Sequence, residues 1–253
     1  MSERILINAA RKLSRDCSAL QFGGAVAWVY NPLDYAWPVH KQFIQRFGGG
    51  PKKALFLGMN PGPFGMMQTG VPFGEVAAVR DWMQLDAKVS EPAQWHPKRR
   101  IEGFNCQRAE VSGRRLWGWA AETFGTAESF FDSFFVVNYC PLVFLEASGR
   151  NLTPDKLPAH EQAAIGEICD AHLNTVLATL SPEWAIGVGA YAAKRLAKVT
   201  GCTIDKGDSA IRAEPNSAGM RVGQIIHPSP ASPVANRGWA PAAHATLEQL
   251  GLV

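Results

Sequence analysis

Four short runs of apolar, strand-forming residues punctuate the chain: Ala54-Leu55-Phe56-Leu57, Phe134-Phe135-Val136-Val137, Trp184-Ala185-Ile186-Gly187-Val188, and residues 221–226. The first three do not alternate with polar residues, as expected of strands buried on both faces of a parallel sheet. Around them apolar residues recur at helical spacing. Residues 3–20 set Ile5, Leu6, Ala9, Leu13 and Leu20 on one face of an amphipathic helix. Further helices are expected up to Phe47, over residues 75–83 beginning near Gly74, over 113–124 with Ser112 as cap, and over 161–180, 191–199 and about 237–250. The aromatics Trp28, Tyr30, Tyr35 and Trp37, broken by Asn31-Pro32 and Pro38, read as an irregular, core-filling wrap. A polar connection joins the helix over 191–199 to the last strand. Strands alternating with helices predict an α/β fold: a three-layer αβα sandwich with a central, mainly parallel, four-stranded sheet. No repeat, low-complexity tract or shift of composition divides the 253 residues. Residues 1–253 therefore read as a single domain, with residues 1–50 a helical N-terminal extension packed on it.

The polar residues that interrupt this pattern sit at the ends of strands. After Leu57 comes Gly58-Met59-Asn60-Pro61-Gly62-Pro63-Phe64-Gly65, too dense in Gly and Pro for helix or strand. A loop stiffened by prolines and carrying Asn60 and Phe64 is a built wall rather than a slack connection. Asn138 follows Val137 directly, and His227 follows Ile226. Ligands of such sheets bind outside the carboxyl ends of the strands. Each residue alone has a structural explanation: an Asx turn at Asn60-Pro61, a turn cap at Asn138, a hydrogen-bonded histidine at 227. Together they form a convergent polar set.

Composition narrows the chemistry. A net charge of +3 neither requires nor excludes a polyanionic partner. Lys98-Arg99-Arg100, Arg114-Arg115 and Arg150 suit phosphate contacts and solvated faces equally. Five cysteines with no C-x-x-C pair argue for reduced thiols in an intracellular compartment, and against a disulfide scaffold or a metal site. No apolar run reaches membrane-spanning length, and the start lacks the layout of a secretory signal. No carboxylate stands next to Asn60 or His227, no Schiff-base lysine lies in either stretch, and no G-x-S-x-G elbow or phosphate-cradling G-x-x-x-x-G-K is present. What remains is an amide to orient water, an imidazole to stabilise a developing anion, a second amide to read a donor/acceptor edge, and aromatic faces for a flat ring. That kit fits a planar heterocycle leaving as an anion.

The run from Gly58 through Met66, the following Gln68-Thr69-Gly70-Val71-Pro72-Phe73-Gly74-Glu75-Val76, and His227-Pro228-Ser229-Pro230 resemble the two signature motifs of the single-strand-selective monofunctional uracil-DNA glycosylases. Asn138-Tyr139-Cys140-Pro141-Leu142, Ser148-Gly149-Arg150-Asn151-Leu152-Thr153-Pro154 and Asn236-Arg237-Gly238-Trp239 extend the resemblance from about Leu55 to the end of the chain.

The resemblance implies hydrolysis of the N-glycosidic bond of uracil and 5-substituted uracils such as 5-hydroxymethyluracil, flipped out of single- or double-stranded DNA. An abasic site is left, without lyase activity and without a cofactor. It implies Asn60 and His227 as catalytic residues, the first on the attacking water and the second on uracil O2; the sequence leaves the protonation state of His227 open. Met59, Gly62, Phe73 and Asn138 would bind the base, with Asn138 on its N3/O4 edge, Phe73 stacked on its face, and Gly62 leaving room at C5. Ser148, Arg150, Asn151 and Arg237 would contact the DNA backbone. The segment from Ser229 through Pro230, Ala231 and Ser232 to Arg237 would enter the stack as the base flips. Some family members carry Arg-Asn where this chain has Ala231-Ser232, a smaller, uncharged tip. The expected partner is DNA containing uracil, the expected state a monomer away from membranes. The alternatives are a superfamily glycosylase preferring xanthine or mismatched thymine, and a non-catalytic nucleic-acid-binding module.

Overall fold

The apolar runs form adjacent strands of one sheet because their side chains can be buried on both faces at once. The computed structural model describes residues 1–207 and 214–253. In chain order the elements are α1 (Ser2–Ser18), β1 (Trp28–Tyr30), α2 (Pro32–Tyr35), α3 (Trp37–Phe47), β2 (Ala54–Gly58), α4 (Met66–Thr69), α5 (Val111–Phe124), α6 (Ala127–Ser133), β3 (Phe134–Asn138), β4 (Val143–Leu145), β5 (Asn151–Leu152), α7 (Ala159–Leu180), β6 (Trp184–Val188), α8 (Ala190–Thr200), β7 (Ile204–Asp205), β8 (Arg221–Ile225) and α9 (Pro233–Gln249).

The main sheet has the order β3-β2-β6-β8-β7, and all its pairings are parallel. It has five strands, not the four expected: the two-residue β7 was hidden in the polar connection, of which residues 208–213 lie outside the described residues. Every residue of β2, β3 and β6 is buried. Register shows the layering. Gly187 aligns with Gln224, and a Cβ at 187 would meet Ala193 of α8. Gly223 aligns with Ile186, on the opposite face, and a Cβ there would meet Leu250, just beyond α9. Helices therefore cover both faces, as a parallel sheet requires.

A second, antiparallel sheet, β1-β4-β5, was not expected. Its strands are two or three residues long, too short to show periodicity, and β5 lies in a segment that reads as a turn. Through β1, which pairs with β4, and α1, which packs on α7 and α3, the first fifty residues contribute a strand as well as helices. Other boundaries differ too. Only a π-helical turn, Ala78–Trp82, defines most of the helix expected over 75–83, and Glu110, not Ser112, is the N-cap residue of α5. Helix α9 starts at Pro233, capped by the Ser232 hydroxyl, and is broken at Gly238 (φ 144°). Among the described residues no helix is long and apolar enough to cross a membrane.

Candidate active site

The Gly/Pro loop after β2 is held by buried side chains that satisfy its backbone. Gln68, almost fully buried, donates to the carbonyls of Pro63 (3.1 Å) and Arg100 (3.0 Å) and accepts from the N–H groups of Glu102 (2.7 Å) and Gly103 (3.2 Å). The Tyr35 hydroxyl donates to Met67 O (2.6 Å), Thr69 Oγ1 to Gly74 O (3.0 Å), and His40 Nδ1 lies 2.8 Å from Gly70 O. Each bond answers a backbone carbonyl or N–H group that would otherwise have to be exposed to water. The loop is thereby fixed as a rigid wall.

Asn60, Gly62 and Met59 line an open cleft of about 370 Å³, together with Phe73, Asn138 and His227. These residues come from three strand ends and one loop, as the parallel sheet dictates. Asn60 Nδ2 donates to the Leu142 carbonyl (3.3 Å), which fixes the amide and leaves Oδ1 as an acceptor. Asn138 is buried, and among the described residues its Nδ2 meets the thioether of Met66 (3.2 Å), a weak acceptor. The Asn138 amide can therefore offer both an acceptor and a donor to a ring edge.

Phe73 is buried and adopts φ +52°, a left-handed backbone that is strained for a bulky residue. Helix α5 holds it there. Trp117 Nε1 donates to Phe73 O (2.9 Å), and a Cβ at Gly113 would come within 2.0 Å of that oxygen. The Phe73 ring lies 6.1 Å from the imidazole of His227. Strain stored at such a point is a mark of function.

His227 ends β8's continuation into the cleft. Its Nδ1 accepts from the Ser229 N–H at 3.0 Å, so the neutral ring carries its proton on Nε2. Burial lowers its pKa to about 4. At neutral pH the group is an uncharged donor. The turn that carries it is braced by Arg115 of α5, which donates to Pro228 O (2.9 Å) and Asn236 Oδ1 (2.9 Å), while Asn236 Nδ2 donates to Pro230 O (2.8 Å). Arg115 thus holds the His227 loop; the arginine pair at 114–115 carried no signal of that.

The expected DNA-contacting residues divide. Asn151, Ser229 and Pro230 line the cleft, and Asn151 Oδ1 is buried without a hydrogen-bond partner. Ala231 and Arg237 are exposed nearby, but Ser232 is occupied as the α9 cap, and residues 233–237 are already helical. The protruding turn is therefore shorter than the segment expected. Arg150 ion-pairs with Glu146, to which the Ser148 hydroxyl also donates (3.3 Å). A phosphate would have to compete with that carboxylate.

Met66, Glu110, Ser112 and Thr153 also line the cleft and were not expected there. Glu110, from the start of α5, reaches the Gly/Pro loop: a Cβ at Gly62 would lie 2.5 Å from its Oε2, and one at Gly65 2.8 Å from its Cγ. Burial raises the Glu110 pKa; the N–H groups of Phe64 and Ser112 oppose this, and Glu75 adds to it. The space beside Gly62 is thus occupied by a carboxylate rather than empty. The two loop glycines were the only trace of it in the sequence.

His40, His172 and His227 all have pKa values lowered to about 4, chiefly by burial. The unfolded chain takes up their protons near pH 6.5, the folded chain only near 4, so stability falls as pH drops through that window. For His40, 8% exposed, the loss reaches at most about 3 kcal/mol by pH 4. The melting temperature should begin to fall near pH 6, above the range where most carboxylates titrate. A constant value down to pH 4.5 would contradict these shifts.

A cleft at the carboxyl edge of a parallel sheet, lined by two fixed amides, a neutral histidine and an aromatic face, can hold a planar ring and stabilise negative charge on it. The model of the uracil DNA glycosylase superfamily matches residues 46–245, and the chain belongs to that superfamily. Similar curated proteins are the single-strand selective monofunctional uracil-DNA glycosylases of Rattus norvegicus, 45% identical over 96% of this chain and 82% of that protein, and of Bos taurus, 43% identical over 96% and 84%. The fold is also similar to the crystal structure of wild-type Pedobacter heparinus SMUG2, with a TM-score of 0.62 and 18% identity over 96% of this chain and 97% of that one.

Proposed function

We propose that this protein hydrolyses the N-glycosidic bond of uracil, and of uracils substituted at C5, in DNA and leaves an abasic site for base excision repair. The observation that carries the reading is the convergence of Asn60, Phe73, Asn138 and His227 on one cleft in a chain 45% identical to a uracil-DNA glycosylase. Reaching the bond requires the base to leave the stack, which costs a few kcal/mol and least in single strands. Phe73 stacks on the flipped ring. Asn138 accepts from N3–H and donates to O4; cytosine reverses that pattern and would leave buried polar groups unpaired.

Asn60 Oδ1 accepts a hydrogen bond from the attacking water and holds it beneath C1′. The glycosidic bond breaks largely before water adds, the sugar taking oxocarbenium character while the bond's electron pair passes to the uracil. His227 Nε2–H donates to O2, where that charge gathers. Ser229, Pro230 and Ala231 fill the vacated place in the stack, and Asn151 and Arg237 meet the backbone, with Arg150 after exchange from Glu146. No cofactor takes part, and the protein acts as a monomer. Five buried, unpaired thiols support work in a reducing compartment.

The test is a single-stranded oligonucleotide with one uracil, incubated with the protein and then treated with alkali. Strand scission only after alkali is the expected result. Scission before it would mean a lyase, and none at all would refute the activity.

A further inference from the structure

Gly62 and Gly65 are glycine because another side chain occupies the volume their own would fill. A Cβ at 62 would stand 2.5 Å from Glu110 Oε2 and 3.1 Å from Oε1; one at 65 would stand 2.8 Å from Cγ of the same residue. Glu110 is the N-cap residue of α5; without a closed capping hydrogen bond, its carboxylate lies near the Ser112 N–H of that helix and also reaches the 62–65 loop. It lies near enough to the Phe64 and Ser112 N–H groups for both to favour its ionised form, and it borders the same cleft as Asn60 and Asn138. Nothing in the hydrolysis described above uses it.

With Asn138 on the N3/O4 edge and His227 on O2, position C5 of a bound uracil faces away from the histidine; in that proposed pose it faces the Gly62 loop, which lines the same cleft. The group found there is a carboxylate, which when ionised only accepts hydrogen bonds. We infer that Glu110 determines specificity at C5: its carboxylate accepts a hydrogen bond from a hydroxyl carried on the C5 substituent and disfavours substituents that bring only acceptors or negative charge. The inference rests on the proposed base excision and on that orientation of the ring. A hydroxymethyl group satisfies the carboxylate with a charge-assisted bond. A formyl group offers it no donor, and a carboxylate substituent repels it. The glycine at 62 then serves to bring the acceptor close as well as to leave room.

Single-turnover excision from one oligonucleotide sequence carrying uracil, 5-hydroxymethyluracil, 5-formyluracil or 5-carboxyuracil tests this in the wild type and in Glu110→Gln. The amide keeps one acceptor for the loop N–H groups and turns an NH₂ donor to the cleft. The rate on 5-hydroxymethyluracil, relative to uracil, should fall about tenfold or more. The relative rates on 5-formyluracil and 5-carboxyuracil should rise. Equal losses on all four bases would make Glu110 a brace of the loop or a partner of the water, and would overturn the inference, as would unchanged ratios. Should Glu110→Gln not fold, Gly62→Ala, which displaces the carboxylate without altering it, must lower the same ratio. A wild type that excises no uracil would instead refute the function itself.

Discussion

Replacing His227 by alanine is expected to slow uracil excision roughly 10²–10³-fold under single-turnover conditions while affinity for uracil-containing DNA is kept, because the loss falls on a donor aimed at charge that exists only in the transition state. The free imidazole is already in its working form. The Ser229 N–H points at Nδ1 from 3.0 Å, which fixes the proton on Nε2, and burial keeps the ring neutral down to about pH 4. No proton has to be acquired first. The wild-type rate should therefore be level from pH 5.5 to 8; a rate that falls as pH rises through 6 would mean an imidazolium and sink the assignment. Asn60→Ala should cost a comparable factor through the water. Near-normal turnover in either variant would remove that residue from the mechanism.

The second large effect is expected at a residue with no side chain. Gly58 ends β2 beneath the pocket, where an added Cβ would lie 2.2 Å from Asn138 Oδ1 and 2.7 Å and 2.9 Å from two atoms of the Phe73 ring. Neither neighbour yields easily. Asn138 ends β3, a strand buried along its whole length, and Phe73 is tied at its carbonyl to Trp117. Gly58→Ala must therefore move the Asn138 amide, the Phe73 ring, or both. Overpacking of this kind costs typically about 1–3 kcal/mol of stability. Displacing positioning groups by about 1 Å can cost about 100-fold in rate. The variant should remain folded, with a lowered melting temperature, and lose uracil excision about 100-fold. If kcat/KM stays within a few-fold of wild type, Asn138 and Phe73 do not clasp the base between them.

The parts of the fold that were legible are those in which one physical requirement acts alone. Strands β2, β3 and β6 are buried on both faces, so continuous apolar runs mark them to within a residue. Strand β7 has two residues, and β1, β4 and β5 form a small sheet whose members are too short to show a period. Ser112 looked like a helix cap because serine commonly is one; the chain instead enters α5 two residues earlier, at Glu110, and buries Ser112.

The site divides in the same way. Asn60, Asn138 and His227 could be found because a parallel sheet brings the ends of its strands to one edge, whatever the distance between them in the chain. Glu110 arrives from the start of a helix, and nothing in its neighbourhood sets it apart from a solvated glutamate. Gln68 and Arg115 hold two loops of the cleft, but they do so through bonds to backbone atoms 5 to 113 residues away and, for Arg115, to the Asn236 side chain 121 residues away. Such support leaves no local pattern.

The backbone of Phe73 has a consequence for how this protein can change. Glycine at 73 would release a left-handed strain of about 1–3 kcal/mol, but it would also empty the core of a buried ring, at a cost of about 3–5 kcal/mol. Burial thus locks the strained residue in place whatever the cleft holds. Even a descendant freed from base recognition would keep an apolar side chain here, and drift towards greater robustness has to proceed through helices and surface far from the cleft.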